Sequence, residues 1–164
     1  MPQTVFGLPL HPLIVHATVV IVPTAALMVL LAAVWPRLRR WAGPLPVGLS
    51  VAALVLDPLS TSSGESLEHK VSGNALIEKH AHLADGLLPW VIALVVTAGC
   101  VYLWHRRTQR GHGQSLRTRR WLPVVLSCLA VVAALGTVVQ VVRIGHSGAE
   151  AAWSGVGAQA QSSR

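Results

Sequence analysis

The stretch Pro12–Trp35, PLIVHATVVIVPTAALMVLLAAVW, decides the fold class. It runs for 24 residues without an Asp, Glu, Lys or Arg. At about 1.5 Å of rise per residue, such a helix is roughly 36 Å long, which is enough to cross a hydrocarbon core of about 30 Å. Because this helix is apolar on every side, it has no face suited to water. The segment therefore predicts a membrane-spanning helix.

The composition of the whole chain agrees with this reading. Of 164 residues, 52% are hydrophobic and 12% are charged, whereas soluble domains carry about 25% charged residues. Three more apolar runs follow, at 44–56, 86–104 and 121–142, and the first of these spans only if its helix continues through Asp57. We predict an all-α membrane protein, a four-transmembrane-helix bundle with one domain over residues 1–157 and a flexible C-terminal tail at 158–164.

The basic residues predict the orientation of the bundle. Nine of the 13 Lys and Arg residues lie in two short loops, after the first and third spans. The positive-inside rule places these loops in the cytoplasm. Both termini and an outer helical loop between the second and third spans then lie outside. The basic residues behind the net charge of +7 thus lie in loops beside a lipid bilayer, and we expect the bilayer, not a nucleic acid, as the partner. No Lys or Arg precedes Arg37, which argues against a cleaved signal peptide.

Histidines collect on the predicted outer side. Six of the eight map there, together with all six acids. His11, His80 and His146 each lie 26 residues from an arginine of the predicted cytoplasmic loops, so we expect them at a similar depth. His16 lies about 7.5 Å deeper at about 1.5 Å per residue. An ionisable residue inside a span is costly and is a functional candidate by default.

Imidazoles from different helices are a common way for a helical bundle to hold the iron of haem. We therefore predict a haem b site, with His16, His80 and His146 as candidate axial ligands, His11 close by, and Arg143 available to an anionic group. His16 is the deepest of these. No side chain on its own helix offers it a hydrogen bond, so we expect a partner from another helix or a cofactor, with His80 or His146 nearest.

A different cofactor is also compatible with the pattern. Zn or Cu would need three or four ligands from imidazoles and carboxylates, and the outer residues that could supply them are His69, His82, Glu65, Glu78, Asp85 and Glu150. A histidine–carboxylate network with no cofactor is a third reading. The functional alternatives are an electron carrier or redox accessory subunit, and a non-enzymatic assembly subunit. Neither alternative predicts a catalytic residue.

Four motifs occur along the chain in an order that can be compared with known families. They are Leu10-His11-Pro12-Leu13-Ile14-Val15-His16, Gly64-Glu65 with Leu67-Glu68, His80 before the third span, and Gly145-His146-Ser147-Gly148 after the fourth. This order resembles the bacterial four-helix membrane family catalogued as domain of unknown function 2231, over nearly the whole chain. The resemblance implies a multi-pass protein of the bacterial inner membrane. Some relatives are joined to Rieske-type or cytochrome c domains, which implies that respiratory or redox membrane proteins are partners. The resemblance leaves open whether the chain forms a homo-oligomer.

Overall fold

The computed structural model describes residues 4–5, 8–68, 75–110 and 121–162, and the side chains of residues 11–65, 75–110 and 121–153. Over these residues the helices are α1 (Leu10–Val34), α2 (Pro36–Ala42), α3 (Leu45–Glu68), α4 (Ala75–Asp85), α5 (Leu88–Gln109) and α6 (Trp121–Ser162). Two short strands, β1 (Thr4–Val5) and β2 (Leu8–Pro9), pair antiparallel before α1.

Four segments are long and apolar enough to cross a membrane: His11–Val34, Leu45–Glu65, Ala75–Gln109 and Trp121–Trp153. The predicted all-α, four-span membrane fold is confirmed. The short second run does continue as helix through Asp57 and on to Glu68. The loop predicted to be helical is α4, which joins α5 through a turn at Gly86. Helix α6 reaches Ser162, so it extends into the stretch predicted as a tail.

The four long helices form a ring. Helix α1 packs against α3 and α6, α5 packs against the same two helices, and α4 lies mainly on α6. Lipid tails are as apolar as leucine, so membrane helices associate through close packing of small residues. The interior is accordingly rich in alanine, with buried Ala25, Ala26, Ala53, Ala98, Ala130, Ala133 and Ala134. Large apolar side chains such as Val20, Val124 and Val142 are exposed around the ring, where lipid would cover them.

The two ends of the bundle differ in chemistry. We call the end that carries His11 and His80 the histidine end, and the end that carries α2 the arginine end. At the arginine end, Arg39 donates from Nε and Nη2 to the carbonyls of Ala32 and Ala33, at 2.7 and 2.8 Å. The Ala32 carbonyl lacks its usual helical donor because residue 36 is proline. Burial lowers the pKa of Arg39, because a less polar environment disfavours the charged form.

Candidate functional site

At the histidine end, the His80 side chain of α4 binds α6. Its Nδ1 lies 3.0 Å from Ser147 Oγ and 3.1 Å from the Ile144 carbonyl oxygen. Ser147 Oγ itself donates to the Ile144 carbonyl at 2.9 Å. Because a carbonyl oxygen only accepts, the hydrogen-bond pattern assigns the ring proton to Nδ1. The Nε2 atom of neutral His80 therefore keeps its lone pair.

His11 makes the same arrangement between α1 and α3. Its Nδ1 lies 2.9 Å from Ser63 Oγ, and Ser63 Oγ donates to the Ser60 carbonyl at 2.9 Å. The Ser60 backbone also bonds to the His11 ring. Since the hydroxyl proton of Ser63 is already used, Nδ1 of His11 is the donor in this contact. His11 thus also presents an unprotonated Nε2.

A glycine follows each of these serines and lets the ring come close. A Cβ atom built on Gly64 would lie 3.2 Å from His11 Cε1, and one built on Gly148 would lie 3.1 Å from His80 Cε1. Both distances are shorter than ordinary carbon contacts of about 3.5–4.0 Å. Each half of the bundle therefore places a histidine of one helix against a Ser-Gly pair of the next. We call these the two Ser-Gly/His contacts.

The two histidines lie at the same end of the bundle. His11 and His80 are half-buried and lie within electrostatic range of each other. A histidine that binds a metal usually donates its other ring N–H to a carbonyl, carboxylate or water, which fixes its tautomer and orientation. Both rings have such an anchor on Nδ1. Each ring is therefore held in the tautomer whose Nε2 can act as a ligand atom.

The comparison with protein families agrees with the fold. The family model described as "Predicted membrane protein (DUF2231)" matches residues 7–160. The chain belongs to this family. No curated protein and no solved structure matched the chain. Membership in DUF2231 thus establishes a predicted membrane protein, and the chemistry of its site has to be argued from the residues.

His16 lies apart from the histidine pair of this DUF2231 protein. Its side chain is exposed on the outer surface of the bundle, and its Nδ1 is 2.6 Å from the Pro12 carbonyl oxygen. A partner from another helix or a cofactor was expected, but the hydrogen bond that the structure shows is to the backbone of its own helix, one turn earlier. A backbone carbonyl can thus satisfy a histidine that has no side-chain partner on its helix.

His146 also faces away from the interior. Its side chain is 75% exposed, and its Nε2 lies 3.2 Å from Glu150 Oε1. The other oxygen of Glu150 lies 3.1 Å from Lys79 Nζ. Arg143, one turn earlier on α6, is exposed as well. The structure therefore places His146 in a surface ion-pair group and does not bring it into contact with His80.

The residues of the predicted Zn or Cu site are scattered. Glu65, Glu78, His82 and Asp85 are exposed, and His69 lies outside the described residues. Within the part of the chain that the structure describes, no group of three or more His, Cys, Asp or Glu side chains is arranged to hold a metal ion.

Sequence reasoning missed the partners of the two histidines. Ser63 and Ser147 each come from the second helix of a hairpin, and each is followed by glycine. The signal in the sequence that could have indicated these partners is the Ser-Gly pair, which occurs at the same end of the second and fourth spans. To interpret it, one must know which helix packs against which, and no local sequence pattern gives that information.

Proposed function

We propose that this DUF2231 protein holds haem b between His11 and His80 and serves as an electron carrier or redox accessory subunit. The observation that carries the proposal is the pair of anchored imidazoles: each has Nδ1 hydrogen-bonded to a facing helix, and among the described residues neither Nε2 has a hydrogen-bond partner. Haem iron in membrane bundles takes one or two axial histidines, so no third protein ligand is needed. Zn or Cu would need three or four ligands, which favours haem.

The surrounding residues suit this role. Ser63 and Ser147 would hold the two rings in the tautomer that can bind iron. Lys79 and Arg143, at the same end of the bundle, are the candidates for contact with the haem propionates, although Lys79 would have to exchange its bond to Glu150. Bound haem would supply a one-electron couple. The other axial candidates, His16 and His146, lie on the exposed surface and serve as controls.

The position in the membrane follows from the charges. If the arginine end faces the cytoplasm, the histidine end and both termini lie outside the bacterial inner membrane. The haem would then sit close to the outer surface. There it could exchange electrons with respiratory or other redox membrane proteins, or with a second copy of this chain.

Optical spectroscopy tests the proposal. The protein would be expressed with a haem precursor, purified without a histidine tag, and examined in its oxidised and dithionite-reduced forms. We expect stoichiometric haem with a Soret band, a sharp α band on reduction, and the near-infrared magnetic circular dichroism of two imidazole ligands. His11→Ala and His80→Ala should each remove this signature. His16→Ala and His146→Ala should keep it, and size-exclusion chromatography checks that each variant is folded.

Two results would contradict haem binding at this pair. One is a wild-type protein with no Soret band despite an ample haem supply. The other is full haem retention in the variant that lacks both His11 and His80. If the wild type lacks haem and His80→Ala lowers its thermal stability, the two Ser-Gly/His contacts are structural ties. Stoichiometric zinc or copper in the purified wild type would favour the assembly-subunit alternative.

A further inference from the structure

The arginine end of the bundle carries positive charge without acids to offset it. This end comprises α2 and the adjoining ends of α1, α3, α5 and α6. All six acids of the chain lie within residues 57–85 or are Glu150, so none belongs to these segments. Four arginines on α2 and α5 are exposed there: Arg37, Arg40, Arg106 and Arg107. Because a surface with charges of one sign attracts the opposite sign, this end is suited to an anionic partner.

A cleft at this end brings α2 next to α5. It is lined by Arg39 and Tyr102, together with apolar side chains of three helices that include Val29, Val47 and Val101. We call it the α2/α5 cleft. Arg39 is half-buried and donates from Nε and Nη2 to two carbonyls of α1. A guanidinium group has five N–H bonds, so these two acceptors do not exhaust it. The cleft therefore combines an apolar lining with a cation.

Tyr102 connects the α2/α5 cleft to a second arginine. Arg106, one turn later on α5, donates from Nη1 to Tyr102 Oη at 3.1 Å, and its guanidinium carbon lies 5.6 Å from the centre of the Tyr102 ring. Since Oη accepts this bond, the Tyr102 hydroxyl still has its own proton to donate. Planar guanidinium groups match the oxygens of a phosphate because they can donate two parallel N–H bonds. Arg39, Tyr102 and Arg106 therefore suit a phosphate group.

The position of the cleft favours the phosphate of a lipid. Trp35, Trp41 and Trp121 are exposed at this end, and tryptophan is enriched where membrane proteins meet lipid headgroups. Leu103, three residues before Arg106, is exposed as well and offers apolar surface to an acyl chain. Basic pockets between membrane helices on the cytoplasmic side are typical binding sites for the headgroups of anionic lipids.

We propose that the α2/α5 cleft binds an anionic phospholipid whose phosphate is held by Arg39, Tyr102 and Arg106. The acyl chains lie along the apolar outer surface of α5. A lipid without a cationic headgroup is preferred, because an ammonium group would be repelled by the surrounding arginines. With the arginine end in the cytoplasm, the lipid belongs to the inner leaflet. The site lies at the opposite end of the bundle from the histidines and does not depend on haem binding.

Native mass spectrometry of delipidated protein in detergent tests this site. Phosphatidylglycerol and phosphatidylcholine are added separately at equal concentrations, and the bound fractions give the two affinities. We expect phosphatidylglycerol to bind about tenfold more tightly, since more than one arginine acts on its net charge. Arg106→Gln should weaken phosphatidylglycerol binding about tenfold, because it removes a charge-assisted hydrogen bond.

Arg107→Gln is the matched control. It removes the same charge from the neighbouring position, which lies about 100° away around the helix. This variant should weaken binding by no more than about twofold, because a side chain that does not contact the phosphate acts only through screened charge. Tyr102→Phe keeps the aromatic ring and removes the hydroxyl group, so it should weaken binding without a change in net charge.

Three results would overturn the proposal. Equal losses of affinity in Arg106→Gln and Arg107→Gln would show that only the net charge of this end matters. Equal binding of the two lipids by the wild type, or an unchanged affinity in Tyr102→Phe, would exclude the site, and the tyrosine variant decides even if Arg106→Gln fails to fold. Thermal stabilisation by inorganic phosphate equal to that by phosphatidylglycerol would show that the cleft binds a soluble anion and not a lipid.

Discussion

Replacing Gly136 with alanine should destabilise the bundle, because the Trp90 side chain lies directly against this glycine. A Cβ atom built on Gly136 would overlap the six-membered ring of the Trp90 indole. Carbon atoms in contact are normally about 3.5–4.0 Å apart. The alanine variant is therefore accommodated only if the indole, or helix α6 itself, moves away.

Two opposing terms set the size of this effect. Overpacking of this kind costs about 1–3 kcal/mol, and an overlap with a rigid ring belongs at the upper end of that range. Replacing glycine by alanine inside a helix contributes about 1 kcal/mol of stabilisation. We therefore expect a net loss of about 2 kcal/mol in the free energy of unfolding.

Gly145 provides the matched control. It lies on the same helix, and a Cβ atom built there meets nothing within 4 Å, so Gly145→Ala keeps the helical gain without the overlap. The difference between the two variants, about 3 kcal/mol, isolates the contact with Trp90. Reversible unfolding in mixed micelles with rising SDS fraction measures it. The reasoning is refuted if the two variants are equally stable, or if Gly136→Ala costs as much in a Trp90→Leu background as in the wild type.

Two further predictions concern helix ends. Gln140→Leu should lower the free energy of unfolding by about 1–3 kcal/mol, because it removes the 2.6 Å hydrogen bond to the Leu83 carbonyl near the end of α4 and leaves that oxygen unpaired. Amide hydrogen exchange should become faster in α4 and stay the same elsewhere. Unchanged exchange in α4 would contradict a stabilising role of this hydrogen bond. Arg39→Lys should lower the thermal unfolding midpoint although it keeps the charge. An ammonium group cannot reproduce the two hydrogen bonds that the guanidinium group makes to carbonyls at the end of α1. A midpoint equal to that of the wild type would show that charge alone matters.

The membrane fold follows from the amino-acid sequence alone. Hydropathy and helix length are properties of one segment at a time, so each span could be predicted from its own residues. The helical nature of the loop between the second and third spans, which is α4, was also predicted. The gathering of histidines at one end followed from counting residues along the spans.

Which of these histidines make contacts inside the bundle depends on the tertiary structure. A helix turns by about 100° per residue, and the rotation of each helix is set by its neighbours. His16 and His146 lie at the histidine end with exposed side chains, while His11 points towards Ser63. The Ser-Gly partners of His11 and His80 come from helices far away in sequence. Only the packing of α1 on α3 and of α4 on α6 brings these groups together, because a contact between helices is a property of the pair and not of either segment.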